Sequence, residues 1–132
     1  MTIAMNAGLR NSLRLDAVVS GAFGLLSLGA ASLIASLTGL PSALILWAGL
    51  LAAVWSAGLF LAASRPSLPR PVLIGIVAGN LGWTAASFAV LALVPVSPTL
   101  LGYAFVIAQA AVVALFAFLQ SASLRLPGPV RA

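Results

Sequence analysis

Two long apolar stretches dominate the chain, Ala17 to Ser64 and Pro71 to Leu124, and neither carries a charged residue. They run 48 and 54 residues, whereas one membrane-crossing helix needs about 20. Each can therefore cross a bilayer, turn and return. The turns stand out as Thr38-Gly39-Leu40-Pro41-Ser42 and Val94-Pro95-Val96-Ser97-Pro98, because Gly ends a helix easily and Pro suits the first turn of the next. The pattern predicts helices over 15–37, 41–63, 71–93 and 98–122, with a short polar linker at Ser64–Pro71. The fold class is an all-α membrane protein, a four-transmembrane-helix bundle forming a single transmembrane domain over 1–132. Met1–Ala7 and the tail at Pro127-Gly128-Pro129 are expected to be frayed ends. Small residues around Gly29-Ala30-Ala31 would suit a signal cleavage site, but the first helix has a counterpart later in the chain.

That counterpart appears when the chain is shifted by 58 residues: Val19–Gly24 falls on Val77–Gly82. A shift of 57 then aligns Pro41 with Pro98. With two helices per half, the halves would form two tandem parallel repeats, related by an axis along the membrane normal. The repeat carries a stripe of small residues on each odd helix, with Gly21 and Gly24 on the first and Gly75, Gly79 and Gly82 on the third. Lipid is as apolar as Leu, so membrane helices associate where small residues let backbones approach. The stripes predict packing within the chain, with a homo-oligomer or a membrane-protein partner as the alternative.

Composition narrows the chemistry. The chain has 63% hydrophobic and 5% charged residues, with no His and no Cys. Soluble domains carry roughly 25% charge, so these side chains cannot cover a water-facing surface, and the lipid bilayer is the expected partner. Without His or Cys the commonest transition-metal ligands and catalytic bases are missing. A lone carboxylate cannot form a hydrolase acid/base pair, and no Gly-rich loop followed by Lys holds phosphate. No enzyme, no cofactor and no metal is expected. The basic excess of six Arg is too thinly spread for nucleic acid. Arg10 and Arg14 precede the first helix, Arg65 and Arg70 lie between the second and third, and Arg125 and Arg131 follow the fourth. Six on one side against none on the other predicts both termini in the cytoplasm.

Few polar side chains remain to be placed. Asp16 is the only acid, and an ionisable group in a span marks a functional site by default. Some small four-helix multidrug transporters use such an acid for proton coupling. Its place beside Arg14 also suits a structural role at headgroup depth, pairing with Arg or complementing the helix N-terminus. Asn80, Thr84 and Ser87 share a face of the third helix. Gln109 falls level with Thr84 on the fourth and is expected to bond Asn80 or Thr84. Asn80, Thr84, Gln109 and Asp16 are thus the candidate intramembrane polar site, either interhelical glue or a ligand site. Trp47 and Tyr103 read as an aromatic belt, and Gln120 as interfacial.

The run Leu13-Arg14-Leu15-Asp16-Ala17-Val18-Val19-Ser20-Gly21, with a Gly/Ala-rich span and the Gly39-Leu40-Pro41 turn, resembles uncharacterised small four-span integral membrane proteins of GC-rich bacteria. The resemblance implies a bacterial inner membrane and transfers no activity. Two roles follow from the residues. The favoured one is a non-enzymatic scaffold, accessory or assembly component acting through helix packing; the other is a small transporter or lipophile-binding protein using the mid-membrane polar residues.

Overall fold

The computed structural model describes residues 1–125; Arg131 and the Pro127-Gly128-Pro129 tail lie outside the described residues. The chain is a multi-pass membrane protein, a helical bundle with four helices of membrane-crossing length. These are α1 (Ala7–Gly29), α3 (Ser42–Ala63), α4 (Arg70–Leu93) and α5 (Leu100–Arg125), with a short α2 (Ala31–Thr38) continuing α1 beyond a break. At the break Ala30 leaves helical geometry, with φ −131° and ψ 31°. The preceding Gly29 has no neighbour within 4 Å of where a side chain would sit, so packing does not offset its low helical preference.

The helix limits follow local chemistry. The Asn6 side chain accepts from Leu9 N at 2.8 Å and caps α1, whose first residue Ala7 lies eight residues before the predicted start. Gly39 ends α2 in the left-handed region, φ 72°, where a side chain would also run into the Ser97 carbonyl. Proline opens α3 as Pro41 and α4 as Pro71, where a missing N–H costs nothing.

Two ties hold the ends of the bundle. At the arginine-bearing end, β1 (Thr2–Ala4) pairs antiparallel with β2 (Ser67–Pro69), Ile3 facing Leu68. Residues 2–4 are therefore a strand rather than a frayed end, and the polar linker contains its partner. Arg10 donates to the Ala63 carbonyl at 2.7 Å and Arg70 to the Leu124 carbonyl at 3.2 Å. These charges complement the negative C-terminal ends of α3 and α5. At the opposite end Thr99 donates its amide to Thr38 O at 2.9 Å and its hydroxyl to Leu37 O at 2.7 Å, clamping the two turns together.

Between the ends, α1 packs on α3 and α4 on α5, so each half is a helical hairpin. The hairpins meet through α1 and α2 against α5, whereas α3 and α4 scarcely approach one another. The α1–α3 seam uses its small residues fully. A side chain on Gly24 would meet Ala53 N and Gly49 O at 2.8 Å, and Ser56 donates to Ala17 O at 2.6 Å. The stripe on α4 is used differently. Gly75 and Gly82 have open space, and Gly79 faces the Trp55 ring. The repeated glycines therefore do not repeat one packing. The larger core cluster, including Leu9, Leu13, Leu59 and Leu73, lies towards the arginine end, and a smaller one around Leu40, Ile45 and Val106 towards the other.

Candidate functional site

Asp16 lies nine residues into α1, about 14 Å along the helix, and is 0% exposed. Arg14 is exposed on the outside, and the partners of Asp16 are neutral. Its Oδ1 accepts from Ser20 Oγ at 3.1 Å, and its Oδ2 accepts from Asn80 Nδ2 and Gln120 Nε2, each at 2.8 Å. Asn80 Nδ2 also donates to Gln120 Oε1 at 2.8 Å, closing a ring of α1, α4 and α5 side chains. The expected pairing with Arg is therefore corrected. Because α1 starts at Ala7, Asp16 is carried into the bundle, where uncharged donors satisfy it. Gln120, read from the sequence as interfacial, is 0% exposed and completes this ring.

Gln109 belongs to a second polar layer. Its Oε1 accepts from Trp83 Nε1 at 2.8 Å, and its Nε2 donates to Ser87 Oγ and Val106 O at 2.9 Å each. It does face α4, but it bonds Trp83 and Ser87 rather than Asn80 or Thr84. Thr84 instead turns its hydroxyl to the Asn80 and Ala110 carbonyls, at 3.0 and 3.3 Å. The four candidate polar residues are thus split: Asp16 and Asn80 in one layer, Gln109 in the next, and Thr84 on backbone between.

A cavity of about 480 Å³ occupies the space that α3 and α4 leave open. Leu51, Ala52 and Trp55 form the α3 side and Gly79, Asn80 and Trp83 the α4 side, with α1 and α5 behind. With α3 and α4 making almost no backbone contact, the cavity is partly open, and the Trp55 ring crosses from α3 to Gly79 at one level of the gap. Ser20 and Asn80, both bonded to Asp16, and Gln109 supply its polar lining. Phe23 stacks on Phe105 at 5.8 Å and meets Trp83 edge-on at 6.1 Å. With Gln109 and Leu51 these three rings also border a second space of about 190 Å³. Size and lining match small-molecule sites, which are mostly apolar with a few placed polar groups. The described residues contain no group of His, Cys, Asp or Glu able to hold a metal ion.

Ser20, Trp55, Trp83 and Gln120 were missing from the candidate site. A helical wheel extended back to Asn6 would have shown Ser20 one turn above Asp16; Gln120 and the tryptophans required the packing. Compared with known proteins, the chain matches no family model, no curated protein and no solved structure.

Proposed function

We propose that this chain is a non-catalytic binding protein of the bilayer that holds a small lipophilic molecule in the cavity between α3 and α4. The observation carrying this reading is the cavity itself, about 480 Å³, with Asn80 and Ser20 on its wall and the Asp16 carboxyl directly behind them. A bundle built only for helix packing would bring α3 and α4 together there, since membrane helices are held by close packing. A polar ring that only glued helices would be served equally well beside filled space. Both termini are assigned to the cytoplasm from the six Arg on one side, and the membrane to a bacterial inner membrane.

Trp55 and Trp83 line the cavity, whereas Trp47 is 66% exposed on the outer surface. In a Trp47→Phe background in lipid nanodiscs, a nitroxide-labelled adamantane should quench the remaining tryptophan fluorescence saturably. Ala108→Phe, which fills the cavity, should weaken that quenching at least tenfold. Quenching that never saturates, or that ignores Ala108→Phe, would overturn the reading.

The scaffold role keeps one supporting observation. Gly75 and Gly82 leave α4 without neighbours along one line, where a second membrane helix could approach. Energy transfer between labelled copies in nanodiscs at increasing protein-to-lipid ratio tests it, and Gly82→Leu should abolish any signal found.

A further inference from the structure

The hydrogen bonds around the cavity are all committed in one direction. Both amide hydrogens of Asn80 go to Asp16 and Gln120, and both of Gln109 go to Ser87 and Val106. The Ser20 hydroxyl donates to Asp16 and the Trp83 indole to Gln109. The acceptors are left over. Asn80 Oδ1 takes no hydrogen bond from the protein, and no buried side-chain oxygen or nitrogen lacks a partner among the described residues. Oδ1 is therefore not sealed in. It faces the cavity that Asn80 lines, although the residue as a whole is only 3% exposed. Its orientation is fixed by chemistry. Turning the amide over would set its oxygen 2.8 Å from both Asp16 Oδ2 and Gln120 Oε1, oxygen against oxygen with no proton between. Ser20 Oγ keeps its lone pairs as well. Trp55, whose ring crosses to Gly79, carries the one lining side-chain N–H without a partner among the described residues.

Charge points the same way. Asp16 is the one acidic side chain at the cavity, and its two oxygens make three hydrogen bonds, to Ser20, Asn80 and Gln120. No arginine is among its partners: Arg10 and Arg70 are occupied with carbonyls, and Arg14 is exposed. Its protein partners are all neutral, and a buried carboxylate is normally paired with a cation, which a positively charged occupant of the cavity would supply. About two turns along α1 from Asp16, Phe23 packs with Trp83 and Phe105 and supplies an apolar aromatic wall.

We propose that the occupant of the cavity is a lipophilic ammonium. Its N–H groups point at Asn80 Oδ1 and Ser20 Oγ, its charge is balanced by Asp16 one hydrogen bond away, and its apolar body lies among the aromatic rings. This rests on the reading of the cavity as a binding site. An anionic or acceptor-only head would meet the oxygens of Asn80 and Ser20, with the Trp55 N–H as the single donor available to it.

The test is competition against the nitroxide-labelled adamantane by four probes of one shape in neutral nanodiscs, each concentration corrected for its uptake by protein-free nanodiscs. The probes are adamantyl ammonium, its trimethylated derivative, adamantanol and adamantane carboxylate. Adamantyl ammonium should compete at least tenfold better than the alcohol, and better than the trimethylated cation, which has no N–H. The carboxylate should be weakest. Asp16→Asn should remove most of the preference for ammonium over alcohol. Ser20→Ala, which leaves the Asp16, Asn80 and Gln120 ring in place and removes one of the two acceptors, should reduce it in part, so the proposal stays testable if Asp16→Asn does not fold. Equal competition by ammonium and alcohol would overturn the cation assignment while leaving a binding site. Equal competition by the two cations would overturn the role of the lone pairs. If neither the labelled probe nor any competitor binds, the binding reading falls with it.

Discussion

The chain commits its only carboxyl to a position where each neighbour donates to it, and the value of that arrangement shows in what each deletion would orphan. Asp16→Leu strands the amide hydrogens of Asn80 and Gln120 in a dry interior, at roughly 1–3 kcal/mol for each group left unpaired. Asp16→Asn retains the shape and some of the bonding, so thermal unfolding in detergent should show a clearly smaller loss. Removing Asp16, Asn80 and Gln120 together in favour of Leu should restore much of the stability lost by Asp16→Leu, because both amides are gone and only the Ser20 hydroxyl has to find a new acceptor. Asn80 and Gln109 lie in separate networks, so a double-mutant cycle between them should give a coupling below about 0.5 kcal/mol. The cycle between Asn80 and Gln120, which share a 2.8 Å bond, should give clearly more. The sequence exposed Asp16, Asn80 and Gln109 as rare polar residues in apolar runs, but not their pairing. Reading the first span from the last arginine put Asp16 at the surface, whereas helices continue past arginines that can reach neighbouring carbonyls. The same shortening hid Gln120, because α5 runs on to Arg125.

At the scale of elements, the two glycine stripes separate composition from use. Gly24 touches the α3 backbone, so even Gly24→Ala must push two helices apart, an overpacking cost of about 1–3 kcal/mol. Gly75→Ala meets nothing and should be neutral or stabilise α4 by up to about 1 kcal/mol through helix propensity. Unfolding of the two variants side by side checks both statements. Gly79→Ala should displace the Trp55 ring and shift tryptophan emission without unfolding the bundle. Four apolar spans, their order and the proline-marked turns were legible because length and hydrophobicity determine them. Which stripe meets which helix was not, since identical spacing suits a backbone seam on α1 and open space on α4. The strand at Thr2–Ala4 was equally hidden: three residues carry no usable period, and only pairing with Ser67–Pro69 makes them a strand.

For the whole molecule, the ties at the two ends set what can move. Deleting residues 1–5 removes β1 and the packing of Ile3 and Met5 on the core, and should cost about 1–2 kcal/mol in detergent unfolding while leaving cavity binding within about twofold. The arginine asymmetry predicts that reporter fusions at Gly39 and Ser97 read as periplasmic and one at Ser67 as cytoplasmic. A periplasmic reading at Ser67 would reverse the assigned orientation. Strand pairing and the Thr99 clamp hold the hairpins together at top and bottom, and α1 with α5 closes one flank. The flank between α3 and α4 is the one the backbones leave widest, bridged by Trp55 on Gly79 and by Leu59 with Leu73 towards the arginine end.

That flank faces acyl chains rather than water. A molecule reaching the cavity must first dissolve in the membrane, so occupancy follows its mole fraction among the lipids and not its aqueous concentration. Doubling the lipid at fixed totals of ligand and protein, with nearly all the ligand already in the membrane, should therefore halve the dose at the site. Dissociation constants quoted against bulk concentration will drift with vesicle content, whereas those expressed per lipid will stay constant.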